Sequence, residues 1–227
     1  MKRSVYGDFI VPTTILFLLT VVFRLTELDL RIQEFFFSPV RGWFLQSQEP
    51  WDFLYDYGSA PAVVMVLAAL LVFLAGFPIK RLAPFRRVAL FLILMMALGP
   101  GLAVNGIKSQ WGRPRPREIQ HFDGNQKFKP VWNKGDPGDY ASFPSGHAGM
   151  GYYLMAPFFI LRKSCRRWAY FFLVVGIAYG SLIGFARMVQ GGHFPSDIVW
   201  SGGLVYLIGL VLSYAFQFQK GIHYCRD

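Results

Sequence analysis

Residues 88–107 read Val-Ala-Leu-Phe-Leu-Ile-Leu-Met-Met-Ala-Leu-Gly-Pro-Gly-Leu-Ala-Val-Asn-Gly-Ile, and Lys108-Ser-Gln-Trp-Gly-Arg-Pro-Arg-Pro116 follows at once. No ionisable side chain interrupts the first stretch. As a helix it is long enough to cross the ~30 Å hydrocarbon core of a bilayer. The second stretch sets Lys108, Arg113 and Arg115 directly at its end. An apolar helix that stops at a knot of cations is a membrane span that delivers charge to one face.

The remainder of the chain repeats this pattern. Further apolar runs cover Phe9–Leu25, Pro61–Phe77, Gly149–Leu161, Trp168–Phe185 and Ile198–Phe218. The fourth, Gly149–Leu161, is short for a span and is expected to begin near Ser145. Of 227 residues, 54% are hydrophobic, 18% aromatic and only 16% charged. That hydrophobic share is roughly what six membrane helices of ~20 residues consume. Intrinsic disorder is excluded, because disordered chains are poor in apolar and aromatic residues. A disulfide-rich secreted scaffold is excluded too, since Cys165 and Cys225 are the only cysteines. The expected fold is all-α: a single six-span domain over residues 1–227, with six transmembrane helices in a bundle and an active site at one membrane face. The first run lacks a small-residue cleavage site and reads as a retained helix.

A net charge of +10 raises nucleic acid as a partner, but no RNA or DNA motif accompanies it. Basic residues instead flank the spans. Lys2 and Arg3 precede the first, Lys80, Arg81, Arg86 and Arg87 crowd the second connection, and Arg162, Lys163, Arg166 and Arg167 the fourth. All three groups fall on one side of a six-span protein, and such density marks the cytoplasm. Both termini are therefore expected inside, with Cys165 and Cys225 as free thiols in a reducing compartment. The third connection also carries cations, including Lys108, Arg113, Arg115, Arg117, Lys127, Lys129 and Lys134. These are assigned to a site rather than to topology.

Three polar clusters interrupt the apolar chain: Lys108–Pro116, Phe143-Pro144-Ser145-Gly146-His147, and Arg187-Met-Val-Gln-Gly-Gly-His193-Phe-Pro195-Ser-Asp197. The first two share one connection, and two crossings return the third to the same face. Lys108, Arg115 and Arg187 offer fixed charge and forked donors suited to phosphoryl oxygens. Ser145 and Gly146 open a helix, where free N–H groups favour an anion. Asp197 lies one turn after His193, with Pro195 as an opening helical residue. It can hold the imidazole in the tautomer whose other nitrogen attacks, and His147 is a second imidazole available as acid or base. Singly, each element has a plain structural account: a snorkelling cation, a stiff loop, a common turn, a local cap. Together, with ordered spacing and a shared face, they point to one site.

Lys108 with six residues before Arg115-Pro116, then Pro144-Ser145-Gly146-His147, then Arg187 with five residues before His193 and three before Asp197, resembles the three-part signature of the type 2 phosphatidic acid phosphatase/haloperoxidase superfamily. The match spans residues 108–197 and departs at Ala186, where the family usually has serine. The resemblance implies that His193 attacks phosphorus and becomes phosphohistidine, that Asp197 orients its ring, and that His147 protonates the leaving alkoxide. It also implies that Lys108, Arg115, Arg187, Ser145 and Gly146 bind the phosphoryl oxygens, with Arg113 a flanking residue of open role. No cofactor and no metal is expected, since no carboxylates or histidines are spaced for a two-metal site. A site at helix ends suits a lipid phosphate whose chains stay in the bilayer. Residues Gly99–Pro116 and His121–Phe128 are moreover similar to bacterial lipid A phosphatases of the 4′ type, which implies an inner membrane location with the site facing the periplasm. Phosphatidylglycerophosphate, undecaprenyl diphosphate and phosphatidic acid are the alternative substrates. A soluble haloperoxidase is disfavoured by the spans, and a transporter by their lack of internal charge. The stretch Phe122–Tyr140, rich in aromatics and cations, reads either as a lid over a headgroup or as a segment resting on the interface.

Overall fold

A computed structural model of the chain describes residues 5–138 and 140–218. Among the described residues its regular structure is helical, with two isolated bridges besides. The long helices are α1 (Val5–Thr26), α4 (Ala60–Ala75), α9 (Arg166–Val189) and α10 (Pro195–Ala215). Short α2 (Leu28–Glu34) and α3 (Trp51–Tyr57) lie between α1 and α4. The third rod joins α5 (Arg86–Met96), a π-helical stretch at Ala97–Val104 and α6 (Asn105–Trp111). Its widened turn falls at Gly99-Pro100-Gly101, where proline removes a backbone donor and the regular ladder cannot continue.

Five segments are long and apolar enough to cross a membrane: Val5–Thr26, Trp51–Ala75, Ala83–Glu118, Arg166–Val189 and Pro195–Ala215. Their outward faces are apolar. Val64 and Leu71 on α4 are 65% and 68% exposed, and Val174 on α9 is 63% exposed. Apolar surface on that scale is covered by lipid tails, so this is a multi-pass membrane protein.

The fourth apolar run is built differently. It comprises α7 (Gly146–Tyr152), one 3-10 turn and α8 (Ala156–Leu161), with Pro157 in the first turn of α8. Over 16 residues its rise is about 24 Å, short of a bilayer core. The reason is its position. Tyr153, Met155, Ala156 and Phe159 are each at most 1% exposed, because the other helices surround it. A segment shielded from lipid needs neither a full span's length nor an unbroken ladder.

The polar contacts fix which ends meet. At one end, Ser145 N–H donates to the Asp197 carbonyl at 3.3 Å, joining the starts of α7 and α10. At the other, Arg162 pairs with Asp8 at 3.1 Å, Tyr214 Oη donates to Asp8 at 2.7 Å, and Arg87 reaches the Phe216 carbonyl. The chain thus runs from the far end to the site end in α1 and α9, and back in α10. The basic clusters after α4 and α8 lie at the far end. Cys165, expected as a free thiol, is disulfide-bonded. Spacing could not reveal this, because the turn after α8 approaches the end of α10 only in the folded bundle. Lys2, Arg3, His223 and Cys225 lie outside the described residues.

Small residues let α7 and α9 approach. A Cβ on Gly151 would sit 2.7 Å from Gly180 Cα, and one on Gly180 would sit 2.4 Å from the Tyr152 ring. Lipid gives no hydrophobic drive between helices, so close backbone packing supplies the attraction. Gly180→Ala is therefore expected to destabilise the bundle by about 1–3 kcal/mol through overpacking. Gly7→Ala, with nothing within 4 Å, should shift stability by less than about 0.5 kcal/mol. Thermal melts in detergent compare the two, and equal midpoints would show that α7 and α9 do not meet at Gly180.

Candidate active site

The site begins at the head of α10. Pro195 occupies the first turn, and the Asp197 carboxylate turns back so that Oδ2 accepts from Phe194 N–H at 2.8 Å. The same oxygen accepts from Ser142 Oγ at 2.6 Å, while Oδ1 takes the Arg113 guanidinium at 2.5 Å. Arg113 is fully buried. Its other donors reach Ser196 Oγ at 2.8 Å, Asp29 Oδ2 at 2.8 Å and the Lys129 carbonyl at 2.9 Å. Asp29 in turn accepts from Ser196 N–H and Oγ at 2.9 and 2.6 Å. Two carboxylates and one guanidinium are thus locked together out of water, each bonded on several sides.

His193 sits above this base with its side chain 2% exposed. Its carbonyl accepts from Gln33 Nε2 at 2.6 Å, which pins the backbone. Nδ1 faces Asp197 Oδ2 at 3.6 Å and has no other partner, so the far nitrogen points away from the carboxylate. Burial pushes the His193 imidazole down to about 3, against the pull of nearby Asp197 and with the charges of Lys108 and Arg187 adding to the shift. The ring is neutral at pH 7.

A cavity of about 280 Å³ opens at this ring, walled by Lys108, Arg115, Arg187, His147 and Tyr55. Arg117 and a single carboxylate, Asp52, line it as well. Tyr55 joins two of the walls. Its ring stacks on His147 with centroids 5.0 Å apart at 27°, and the Arg187 guanidinium lies 4.4 Å above it. Arg187 also donates to Gln190 Oε1. Gly192 makes room for this arginine, since a Cβ there would come within 2.5 Å of its guanidinium. The Nε atoms of Arg115 and Arg187 are buried and without partners. Buried donors are ordinarily satisfied, so these wait for an acceptor. His147 is pushed down to about 4, first by burial and then by Arg187, Lys108 and Arg115.

Five of the eight residues expected from sequence meet at the cavity: Lys108, Arg115, His147, Arg187 and His193. Asp197 lies behind His193. Ser145 is fully buried, and its Oγ accepts from Ala148 N–H at 3.4 Å, capping α7. Gly146 starts that helix, nearest to Asn105. Arg113, left open by the sequence, is an anchor for Asp197 rather than a wall of the cavity. The stretch Phe122–Tyr140, expected as a lid or as an interfacial segment, packs in part against the site. Its Lys129 and Val131 carbonyls bind Arg113 and Trp111, and Phe128 packs on Phe194 at 5.4 Å. It buttresses the site from behind, because those aromatics find a protein surface to bury against.

Asp29, Gln33, Tyr55, Ser142 and Ser196 were missed. Asp29 and Gln33 carried a signal, two polar residues one turn apart in a short run. Among the described residues no three His, Cys, Asp or Glu side chains gather as metal ligands.

Comparison with known proteins agrees with this geometry. Residues 88–220 match the PAP2 superfamily model. The chain is 37% identical over 164 residues to the lipid A 4′-phosphatase of Francisella tularensis subsp. novicida, covering 71% of this chain and 70% of that protein. It is 34% identical over 131 residues to the lipid A 4′-phosphatase of Rhizobium etli, covering 55% of this chain and 49% of the relative. For that of Rhizobium leguminosarum the figures are 33% over 130 residues, with 55% and 54% covered. No solved structure matches. With the three signature clusters meeting around one imidazole and the family model covering more than half its length, the chain belongs to the PAP2 superfamily.

Proposed function

We propose that this protein is an integral-membrane lipid phosphatase that removes a phosphate from lipid A through a phosphohistidine intermediate. One observation carries the reading. A neutral, buried imidazole faces a cavity lined by four cations and one carboxylate, and two of the cations keep an unspent buried donor. That arrangement suits phosphoryl transfer, which needs positioning and charge stabilisation. The names of the relatives supply the lipid.

In this mechanism the His193 nitrogen remote from Asp197 attacks phosphorus while the bond to the leaving oxygen breaks. His147 gives that oxygen its proton. Lys108, Arg115 and Arg187 hold the equatorial oxygens, with the start of α7 at Ser145 and Gly146 nearby. Asp197 stabilises the positive charge that develops on His193, and is itself held rigid by Arg113. Water then attacks phosphohistidine, with His147 taking its proton. No step requires a metal.

The bundle has six crossings in this reading, the shielded run Gly149–Leu161 being the fourth. The basic connections at the far end place that end in the cytoplasm and the site at the periplasmic face of an inner membrane. Charge bias acts while the chain inserts, before cysteines pair, so it outweighs the Cys165 disulfide as a guide to orientation.

The test is phosphate release by purified protein in EDTA against lipid A, phosphatidylglycerophosphate, undecaprenyl diphosphate and phosphatidic acid. Lipid A should be turned over best, and His193→Ala should abolish turnover. Undiminished release by that variant would remove the nucleophile, and preference for another lipid would reassign the substrate.

His147 is neutral at pH 7 in the empty site, so its proton must arrive with the anion. A bound dianion offsets the three cations and raises the imidazole again. Tungstate, fully ionised at pH 7, should therefore bind with uptake of up to one proton. Calorimetric heats should scale with the ionisation enthalpy of the buffer, and His147→Gln should remove the effect. Heats independent of buffer would contradict the assigned acid.

Tyr55 holds His147 and Arg187 without supplying chemistry. Tyr55→Leu should lower kcat/KM roughly 2- to 30-fold, equivalent to one cation–π contact of about 0.5–2 kcal/mol, and leave the thermal midpoint in place. An unchanged rate would show that the stack does not position the acid.

A further inference from the structure

At the end of the bundle opposite the catalytic cavity, the turn from α8 into α9 forms a second polar cup of about 540 Å³ lined by Arg162, Lys163, Arg166 and Asp8. Asp8 is already engaged by Arg162 at 3.1 Å and by Tyr214 at 2.7 Å. Among the described residues Lys163 and Arg166 pair with no carboxylate, so the cup is left positive. Arg162 has a side chain 10% exposed and a buried Nε without a partner. Arg166 opens the 24-residue helix α9, whose N-terminus has no side-chain cap. Its first free N–H groups add to the attraction for an anion.

An apolar groove of about 520 Å³ adjoins the cup between α1, α9 and α10. Leu173 and Tyr206 line both. From there it passes Ile177 and Leu207 toward Leu19 and Val199. Along α1 it extends from Val11 to Leu19, about 12 Å at 1.5 Å per residue. Trp168, 55% exposed in the same first turn of α9 as Arg166, marks the depth of lipid headgroups. The groove itself discriminates little, since lipid tails are as apolar outside it as within. Selection therefore comes from the charge at its head.

We propose that cup and groove together bind one anionic phospholipid, its phosphate among Lys163, Arg166 and the Arg162 Nε, and one acyl chain along α1, α9 and α10. This site is separate from the catalytic cavity, and its existence does not depend on which lipid is hydrolysed.

Native mass spectrometry of the detergent-solubilised protein, titrated with phosphatidylglycerol and phosphatidylcholine, tests it. The wild-type protein should retain phosphatidylglycerol preferentially. Lys163→Gln with Arg166→Gln should weaken that retention roughly 30-fold, at about 1 kcal/mol for each cation removed near the surface. Lys80→Gln with Arg81→Gln, which removes the same charge from the neighbouring connection, should leave it within about twofold. Ile177→Trp, at an exposed groove position, should release the lipid with all charges in place. Equal loss in both double variants would show a diffuse basic surface and overturn the site. Full retention by Ile177→Trp would overturn the seating of the chain in the groove.

Discussion

Asp29, Arg113 and Asp197 share a pocket closed to water, and the geometry of the catalytic face depends on how that pocket is satisfied. A buried ion pair is a weak source of net stability, because desolvation offsets much of the attraction. Its value here is geometric. Arg113 is bonded to both carboxylates, to Ser196 and to the Lys129 carbonyl, so none can move without stranding a charge. The network ties α2, the segment after α6, the 117–141 segment and the head of α10 into one block. Asp197, held in this way, presents a fixed edge to His193.

The cavity on the other side of His193 has the opposite character. Lys108, Arg115, Arg117 and Arg187 line it against the single carboxylate of Asp52. Like charges at close range repel one another, and burial, with these cations adding to it, holds both histidines neutral. In the proposed mechanism an arriving phosphate relieves the repulsion and supplies the negative charge that lets His147 carry a proton. Binding and proton delivery are thus one electrostatic event. Tyr55 touches both His147 and Arg187, its ring stacked on the imidazole and facing the guanidinium.

Much of this was legible in the chain. The apolar runs gave the helices, and the crossing count brought three clusters to one face before any coordinates. Five signature side chains do line one cavity. Ser145 was legible as a helix opener, yet its hydroxyl caps α7, because the Ala148 amide is the nearest unsatisfied donor. Arg113 and Arg115 look alike in the doubled Arg-Pro; the chain turns between them, sending one behind the site and the other into it. Asp29 and Gln33 showed only as polar residues one turn apart and Tyr55 not at all, since nothing in residues 26–60 ties them by spacing to the three distant clusters.

By itself the sequence determined the membrane class, the helical architecture and which polar clusters share one face. Those follow from local properties: runs of apolar residues must leave water, and charges must sit at their ends. Only the tertiary structure decided which polar residues support the site and which form it, how the short fourth run can be central without facing lipid, and that a second basic cup adjoins an apolar groove at the far end. Each of these depends on which surfaces meet, and burial, not sequence spacing, sets the energy of a charge.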